Sequence, residues 1–293
     1  MTITVRPHRS VLYMPGSNPR ALEKAKTLAA DVLIFDLEDS VSPEMKAEAR
    51  ALVTQAVQDA NDGQYGRKTI CIRVNGLDTS WGEDDLKAAA MANPDSILLP
   101  KVNSAADVHA ALAILEVAGL SEKTSIWVMM ETPLGILQAQ EIAASTPRMG
   151  AFVMGTSDLV KDLHAHHTTL RLPVIASLNL CVLAARAYGL LIVDGVYLDL
   201  ADADGFAQSC VQGLEMGFDG KTLIHPKQLE AANRVFAPSE ADIEFSQRII
   251  VAHAQALAEG KGVVVVDGKL IENLHVQDAQ RIVALAEAIA LNV

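Results

Sequence analysis

Eight short apolar runs, each followed by a stretch of helical periodicity, limit the folds open to this chain more than any other feature. The runs recur at intervals of roughly 20–40 residues, and segments rich in Ala, Leu, Glu and Lys separate them. Strands that alternate with helices form parallel sheets with right-handed crossovers, and eight such units predict an α/β fold of the (β/α)8 TIM-barrel type. The predicted strands span residues 10–15, 31–36, 69–75, 95–101, 125–131, 151–156, 191–198 and 217–224.

An open, doubly wound sheet is the weaker alternative for the same order of elements. Nucleotide-binding sheets of that kind carry a glycine-rich turn, G-x-G-x-x-G, directly after a strand. No such turn follows any of the predicted strands. We therefore favour a barrel, and we assign residues 1–236 to it as the catalytic domain.

Residues 237–293 depart from the alternation and predict a separate lid or oligomerisation segment. Their pattern gives a helix over about 239–259, a ribbon of 263–266 and 269–271 joined through Asp267 and Gly268, and a helix over about 276–290. We expect this segment to be too small to own a hydrophobic core. It is therefore predicted to pack on the barrel or on a neighbouring subunit, where it could act as a lid.

The composition excludes several classes of partner. A formal charge of −12 and a pI near 5.1 argue against nucleic-acid binding, which needs a basic surface. The apolar runs are shorter than the ~20 residues that a membrane span requires, and the N-terminus lacks a signal-like apolar stretch, so we expect a cytoplasmic protein. Three scattered cysteines, Cys71, Cys181 and Cys210, are predicted to be buried apolar residues rather than disulfides or metal ligands.

Charged residues follow several predicted strands at the end where TIM-barrel active sites lie. Any one of them could simply mark where a strand meets water, but the set as a whole indicates a site. Arg73 is embedded in an apolar strand, so an anion from the protein or from a ligand should face it, and we favour a substrate oxygen. Glu131 and Asp158 end neighbouring strands, and two carboxylates with several waters form the usual sparse Mg²⁺ site.

Two weaker patterns remain open to more than one interpretation. The turn after the first strand leads into a helix whose N-terminus could bind a phosphate, and Arg20 and Lys24 add positive charge there, although surface cations are common. The cluster His164, His166 and His167 suggests zinc, but no cysteine accompanies it, and a solvated loop is the favoured interpretation.

At these residues the chain resembles the citrate lyase β-subunit-like branch of the HpcH/HpaI aldolase superfamily, which includes malyl-CoA lyases and malyl-CoA thioesterases. The resemblance spans nearly the whole chain. Its motifs are RSVLYMPG at 9–16, FDLEDSV at 35–41, RVNG at 73–76, LPK at 99–101, METP at 130–133, GTSD at 155–158, DGVY at 194–197 and GKTLIHP at 220–226.

The resemblance implies a role for each of several residues. It implies that Glu131 and Asp158 bind Mg²⁺, with Mn²⁺ as an alternative, and that Arg73 holds the reacting oxygen. Two further carboxylates, Glu38 and Asp39, would support the water shell of the metal. Contacts to coenzyme A would come from Tyr13 and Lys24, with Arg20 as a further candidate.

The resemblance also implies a homotrimer or homohexamer in which the C-terminal segment of one subunit closes over the site of the next. Its lid motif, Gly-x-x-Ile-Asp, reads GKLIE at 268–272 here, so Glu272 stands where the lyases carry a catalytic aspartate. The added methylene moves the carboxylate by ~1.5 Å, a displacement large enough to alter proton transfer. Glu272 is therefore a predicted catalytic residue with altered reach.

These features predict an enzyme that acts on a coenzyme A thioester of a small hydroxy-dicarboxylic acid. The leading expectation is carbon–carbon cleavage of a malyl-CoA-like substrate to glyoxylate and acetyl-CoA. The alternative is hydrolysis of the same thioester to malate and coenzyme A. A lesser alternative is a citrate lyase β subunit acting on a protein-borne thioester, which the lid segment argues against, since a lid would crowd such a substrate.

Overall fold

Eight parallel strands run in sequence order and close on themselves, because the first pairs with both the second and the eighth. The computed structural model describes residues 6–291. The predicted (β/α)8 barrel is thus confirmed. Its strands are β1 (Ser10–Pro15), β2 (Val32–Asp36), β3 (Thr69–Arg73), β4 (Ser96–Leu99), β5 (Ser125–Met130), β6 (Met149–Met154), β7 (Leu191–Asp194) and β8 (Gly220–Leu223).

Helices connect successive strands. They are α1 (Pro19–Ala25), α2 (Lys46–Asn61), α3 (Gly82–Ala92), α4 (Ala105–Val117), α5 (Pro133–Leu137), α6 (Ala139–Ala143), α7 (Thr156–Asp162), α8 (Ile175–Ala187) and α9 (Ala203–Met216), followed by α10 (Leu229–Val235). Short 3-10 turns lie at Pro43–Met45, Leu172–Val174 and Pro226–Gln228.

The strands are apolar on both faces because side chains fill the barrel on one face and the helices cover the other. Alternate residues point inward, and they form a buried cluster that fills the barrel. This cluster contains Val11, Val32, Ile34, Cys71, Leu98, Trp127, Met129, Ala151, Val153 and Val193. The barrel is therefore a packed core, and open space for chemistry lies at its ends.

The loops at the carboxyl ends of the strands are held by side-chain caps and by prolines. Asn18 accepts a hydrogen bond from the Ala21 N–H at the start of α1, and Thr132 accepts one from the Gly135 N–H at the start of α5. Pro19 and Pro133 occupy the first helical position, where a missing N–H costs nothing. Each cap fixes the direction in which the chain leaves the mouth of the barrel.

The chain divides into two compact units. One comprises residues 8–233 and contains the barrel, and the other contains residues 234–291 together with residues 6 and 7. The second unit consists of α11 (Glu240–Ala258), β9 (Val264–Val266), β10 (Lys269–Ile271) and α12 (Asn273–Ala290). Its strands form an antiparallel hairpin, and its turn residues Asp267 and Gly268 both have a positive φ, as a two-residue hairpin turn requires.

The expectation that this segment owns no core was wrong. Ile249 of α11, Val266 and Ile271 of the hairpin, and Val276 and Ala279 of α12 form a buried cluster of their own. The reason is that two helices of 19 and 18 residues each present an apolar face to the hairpin between them.

Cys71, Cys181 and Cys210 are all buried and free, as predicted. Among residues 6–291, no helix combines the length and the apolar character that a membrane crossing demands.

Candidate active site

Polar side chains from four strands, β2, β3, β5 and β6, meet at the carboxyl end of the barrel. Asp36 ends β2, Arg73 ends β3, Glu131 directly follows β5, and Asp158 lies in the first turn of α7 after β6. These four residues line one cavity of about 310 Å³ together with Tyr13, Asp39, Ser40, Met129, Met154, Gly155, Thr156, Ser157, Val196 and Ile224. Of the residues predicted for the barrel mouth, Tyr13, Asp39, Arg73, Glu131 and Asp158 line this common space, and Glu38 contacts it through Arg73.

Arg73 is the most constrained cation of this cavity. Its Nε and Nη2 donate to the two carboxylate oxygens of Asp36 at 2.7 and 2.8 Å. Its Nη1 lies 2.8 Å from Glu38 Oε2 and 3.2 Å from Asp39 Oδ2. The anion expected opposite Arg73 is therefore supplied first by the protein itself, and Asp36, which holds Arg73 in a two-point contact, was missed by the sequence analysis.

The register of the sheet explains this pair. Asp36 and Arg73 are lateral partners across β2 and β3, so their side chains leave the sheet on the same face at the same height. Burial alone would raise the pKa of Asp36, but the Arg73 guanidinium and the backbone N–H groups of Glu38 and Ser40 hold that pKa below its usual range. Asp36 is therefore ionised and fixes the orientation of the guanidinium.

Tyr13 lies against the other side of Arg73. The Arg73 Cζ stands 4.7 Å from the centroid of the Tyr13 ring, and the Tyr13 hydroxyl donates to Met129 Sδ at 3.4 Å. Burial raises the pKa of the Tyr13 hydroxyl, so it stays protonated. This placement suits a residue that orients Arg73, while the contact with coenzyme A expected for Tyr13 stays a prediction.

Lys101 connects two of the carboxylates. Its backbone N–H donates to Glu131 Oε1 at 2.8 Å, and its Nζ donates to Glu38 Oε1 at 3.2 Å. Its backbone φ of 49° is unusual for a residue other than glycine, and this conformation turns the chain sharply after β4. In the sequence Lys101 stands out only as the end of a predicted strand and of the LPK motif, with no role indicated.

Glu131 is almost completely buried, and its charge is not balanced by a cation of its own. Burial, with a smaller effect of the nearby Glu38 and Asp158 carboxylates, raises its pKa to about 7 against the opposing effects of the Lys101 N–H and Arg73. Burial and the neighbouring Asp39 also raise the pKa of Glu38. These carboxylates therefore repel one another unless a cation is added.

The charges and the packing around Glu131 fit a divalent cation. Five carboxylates outnumber the three cations near them, which are Arg73, Lys101 and the Lys46 ammonium. The carboxylates are those of Asp36, Glu38, Asp39, Glu131 and Asp158. Within residues 6–291 no group of three or more His, Cys, Asp or Glu side chains is already arranged around one metal position. Mg²⁺ suits this arrangement because it keeps several waters and needs only one or two protein carboxylates.

Gly155 makes room for the side chain of Glu131. A Cβ at position 155 would collide with the Cβ and Oε2 of Glu131. The Gly155 N–H donates to the carbonyl of Met130, which fixes the backbone beside Glu131. The glycine of the GTSD motif thus allows the close approach of β5 and β6 at this point.

Lys46, which the sequence did not single out, supports the loop that carries Glu38. Lys46 Nζ donates to the carbonyls of Leu37 and Glu38 and to Asn75 Oδ1, each at 2.8 Å. Three acceptors satisfy all three N–H groups of the buried ammonium. Its position at the start of α2 gave no indication of this role, because a lysine on a helix is usually solvated.

Arg20 and Lys24 lie elsewhere. Both are exposed on α1, where they line a shallow depression with Pro19, Glu23 and Thr27. The structure therefore keeps these cations apart from the cavity that contains Arg73 and Glu131, and their role toward coenzyme A stays a prediction.

Glu272 belongs to the second compact unit. It is the N-cap of α12, and its backbone N–H donates to His275 Nδ1 at 3.0 Å. The exposed carboxylate stands at the junction of β10 and α12. Its predicted role as a catalytic lid residue stays a prediction.

Comparison with known proteins decides the family of this chain. The sequence profile of the HpcH/HpaI aldolase/citrate lyase family matches residues 9–226. The chain belongs to this family. The matched residues contain every strand of the barrel and all the residues that line the candidate active site.

Family members with curated functions match over nearly their full length. A (3S)-malyl-CoA thioesterase from Cereibacter sphaeroides is 53% identical over 290 residues, which cover 99% of this chain and 98% of the relative. An L-malyl-CoA/beta-methylmalyl-CoA lyase from the same species is 37% identical over 309 aligned positions, with 97% and 96% covered.

A solved structure shares the fold of this family member. It is the CitE protein from Mycobacterium tuberculosis in complex with magnesium, acetoacetate and coenzyme A, which is 26% identical with a TM-score of 0.75. The match covers 95% of this chain and 97% of that one. The fold and the family expected from the sequence motifs are therefore confirmed.

Proposed function

We propose that this protein is a Mg²⁺-dependent thioesterase that hydrolyses (3S)-malyl-CoA to malate and coenzyme A. The observation that carries the proposal is the 53% identity to (3S)-malyl-CoA thioesterase over nearly the whole of both chains, against 37% to the malyl-CoA lyase. The glutamate at position 272, in place of the aspartate expected for a lyase, supports the same choice. This favours the hydrolytic alternative over carbon–carbon cleavage, which was the leading expectation from the sequence.

Glu131 and Asp158 are the residues that would hold the Mg²⁺ ion, with Glu38 and Asp39 ordering its waters and Mn²⁺ as an alternative metal. The excess of carboxylates over cations at the barrel mouth supports this assignment, as does the magnesium in the related CitE complex. When bound, the ion supplies a Lewis acid that polarises the oxygens of the hydroxy-acid end of the substrate.

Arg73 would stabilise the charge that develops during hydrolysis. A water oxygen bonds to the thioester carbonyl carbon, negative charge grows on the carbonyl oxygen, the C–S bond breaks, and the coenzyme A sulfur takes up a proton. Arg73 Nη2 carries a second N–H beyond the one given to Asp36, and its side chain lines the cavity. Because Asp36 and Tyr13 already fix the guanidinium, little reorganisation is needed when the charge appears.

The remaining roles in the proposal come from the second compact unit and from the surface of α1. Glu272 would accept the proton of the attacking water, as part of a lid reaching the barrel of a neighbouring subunit in a homotrimer or homohexamer. In this proposal residues 1–236 form the catalytic barrel and residues 237–293 the lid and oligomerisation segment. Arg20 and Lys24 are exposed cations suited to the phosphates of coenzyme A, and Tyr13 would border the thioester end.

Carbon–carbon cleavage to glyoxylate and acetyl-CoA is the second candidate. The 37% identity to the L-malyl-CoA/beta-methylmalyl-CoA lyase favours it, because the same carboxylates and Arg73 could stabilise an enolate instead of a tetrahedral oxyanion. The two reactions differ in their products and not in the metal or the arginine.

Product analysis tests the proposal directly. The protein is incubated with Mg²⁺ and (3S)-malyl-CoA, and malate, free coenzyme A, glyoxylate and acetyl-CoA are quantified separately. We expect malate and coenzyme A in equal amounts, and loss of turnover when EDTA removes the metal or when Glu131→Gln is used. Glyoxylate and acetyl-CoA as the main products would transfer the assignment to the lyase, and undiminished turnover in EDTA would refute the metal site.

The variant Glu272→Asp separates the contribution of side-chain length from that of charge. It shortens the reach by ~1.5 Å, so we expect hydrolysis to fall by about tenfold or more while the affinity for the thioester is retained. Unchanged hydrolysis in both Glu272→Asp and Glu272→Ala would show that Glu272 is a solvated charge without a catalytic role.

A further inference from the structure

A second cavity of about 370 Å³ lies within the barrel unit beside β7 and β8. Its position relative to the sheet follows from the alternation of side chains. Val193 belongs to the cluster inside the barrel, so the next residue, Asp194, points outward, and its lateral partner Lys221 does the same. Because Lys221 lines this cavity, the space lies between the outer face of the sheet and the helix layer, whereas the candidate active site opens at the mouth.

One carboxylate in this region faces two cations. Lys221 Nζ donates to Asp194 Oδ2 at 2.7 Å, and Arg171 Nη1 donates to Asp194 Oδ1 at 2.6 Å and to Oδ2 at 2.8 Å. Asp194 is fully buried and Lys221 is 1% exposed. The three groups together carry one positive charge in excess, in a place where water screens it poorly.

Lys221 has unused hydrogen-bonding capacity. An ammonium group has three N–H donors, and within residues 6–291 only Asp194 accepts from Lys221 Nζ. Leaving donors of a buried cation without acceptors costs free energy, so an acceptor is expected in the adjoining space. The cavity provides that space, since Lys221 and Arg171 both line it.

The arginine is held in place by more than its ion pair. Arg171 has a φ of 54°, a left-handed conformation that is unusual for a residue other than glycine, and its Nε donates to Gln212 Oε1 at 2.6 Å. Backbone strain of this kind persists only where surrounding contacts impose it, and it is frequent at ligand sites. The cation is thus fixed before any ligand arrives.

The remaining walls define the ligand. Pro173, Val174, Val196 and Leu198 provide apolar surface, while Thr168 and Thr169 provide hydroxyl groups. Asp199 also lines the cavity, and its carboxylate disfavours a ligand with several negative charges. The volume lies near the lower end of the ~300–1,000 Å³ range of small-molecule sites.

From these contacts we propose that this cavity is a binding site for a small monocarboxylic acid with a short apolar chain. The carboxylate of the ligand accepts from Lys221 and from the Arg171 Nη2, which has two N–H groups and contacts only the weak acceptor Met216 Sδ at 3.9 Å within residues 6–291. The chain of the ligand lies against Val196 and Leu198. This cavity borders the candidate active site at Thr156 and Val196, which line both, but its cations are Lys221 and Arg171 and not Arg73. The inference does not depend on the proposed function.

Isothermal titration calorimetry tests the proposal with butyrate, acetate and inorganic phosphate, in EDTA so that no divalent metal is present. We expect butyrate to bind once per chain, and about tenfold more tightly than acetate because two further CH₂ groups are buried. Phosphate should bind more weakly than butyrate, because Asp199 repels the doubly charged form and the apolar walls have nothing to contact. Absence of butyrate binding to the wild-type protein would overturn the proposal. Water would then be the acceptor for the remaining N–H groups of Lys221.

Four variants locate the binding. Lys221→Met should weaken butyrate binding by at least about tenfold, and Ser209→Leu should do so by filling the cavity while leaving both cations in place. Lys68→Met removes a half-buried ammonium that donates to the carbonyls of Lys26 and Tyr65, and it should leave binding unchanged. Arg73→Lys should also leave it unchanged.

The pattern across the variants decides between the two cavities. Loss of binding in Arg73→Lys with retention in Lys221→Met and Ser209→Leu would place the carboxylate at the barrel mouth and overturn the inference. If Lys221→Met does not fold, Ser209→Leu alone decides the outcome, because that variant keeps the Asp194 ion pairs.

Discussion

The guanidinium of Arg73 depends on contacts that come from two other parts of the chain, Tyr13 of β1 and residues 36–39 at the end of β2. Asp36 of β2 holds it in a two-point hydrogen bond, Tyr13 of β1 lies under it, and Glu38 and Asp39 pair with its Nη1. A planar group bound in this way can present an N–H to a ligand in only one direction. The geometry of the candidate site therefore depends on this one side chain being arginine.

We expect Arg73→Lys to lower kcat/KM for (3S)-malyl-CoA by about 100-fold or more, because a point ammonium cannot make the paired contact that aims the donor. The measurement is steady-state turnover at saturating Mg²⁺. Arg9→Lys is the matched control, since Arg9 makes a similar two-point contact with Asp31 outside the candidate site. It should lower the melting temperature by a few degrees and leave kcat/KM within about twofold. Near-normal kcat/KM in Arg73→Lys would remove Arg73 from the mechanism.

A pH dependence of stability follows from Glu131. Without metal, burial raises its pKa from 4.5 to about 7, so between these two pH values the folded state binds more protons than the unfolded state. The contribution of Glu131 to the free energy of unfolding is then fully present below pH 4.5 and is lost as pH rises through 7. We expect the melting temperature in EDTA to fall between pH 5 and pH 8, to fall less in Glu131→Gln, and to recover when Mg²⁺ is added at pH 8. An identical slope in the wild type and in Glu131→Gln would contradict this assignment.

The sequence predicted which side chains converge at the barrel mouth better than it predicted their partners. Arg73, Glu131 and Asp158 could be found because charged residues at strand ends stand out against apolar runs. Asp36 could not be distinguished from the acidic residues after it, because only the lateral register of β2 and β3 places it opposite Arg73. Long-range register of this kind depends on barrel closure and leaves no local pattern in the sequence.

At the scale of strands and turns, the existence of each strand was predicted more accurately than the residue at which it ends. The fourth strand was predicted over 95–101 but ends at Leu99, since Lys101 adopts a left-handed conformation. That conformation is held by Glu131 and Glu38, which are distant in sequence. The seventh strand was predicted to reach residue 198 and ends at Asp194, whose Oδ1 accepts from the Gly195 N–H. Contacts from other elements decided the end of the fourth strand, whereas the contact at the end of the seventh is local.

The close approach of β5 and β6 at Gly155 gives a prediction at the same scale. Gly155→Ala adds a Cβ that collides with the side chain of Glu131, so Glu131 must move. We expect Mg²⁺ affinity, measured by calorimetry, to weaken by about tenfold or more. Gly262→Ala is the control, because a Cβ there meets no atom within 4 Å, and it should leave the affinity unchanged. Equal Mg²⁺ affinities in Gly155→Ala and wild type would argue against Glu131 as a ligand.

At the scale of the whole molecule, the proposal places Glu272 and Arg73 of one active site on different subunits. We expect separately inactive Glu272→Ala and Arg73→Ala proteins to regain part of the wild-type activity after they are mixed under conditions that exchange subunits. The mixed oligomers would contain sites with one intact barrel and one intact lid, up to about a quarter of all sites if exchange is random. Subunit exchange is monitored by size-exclusion chromatography of a tagged chain. If exchange occurs and activity does not recover, either both residues act within one chain or Glu272 is not part of the site.

The pairing of β1 with β8 has a consequence for the nascent chain on the ribosome. β1 is made first, yet its second neighbour begins at Gly220, and the Lys221 N–H must reach the carbonyl of Arg9. Until that stretch leaves the exit tunnel, one edge of β1 has no partner, and the most recently made strand has a free edge as well. Translation that stops before residue 220 therefore releases an open sheet with two exposed edges, which is a substrate for chaperones and proteases rather than a smaller barrel.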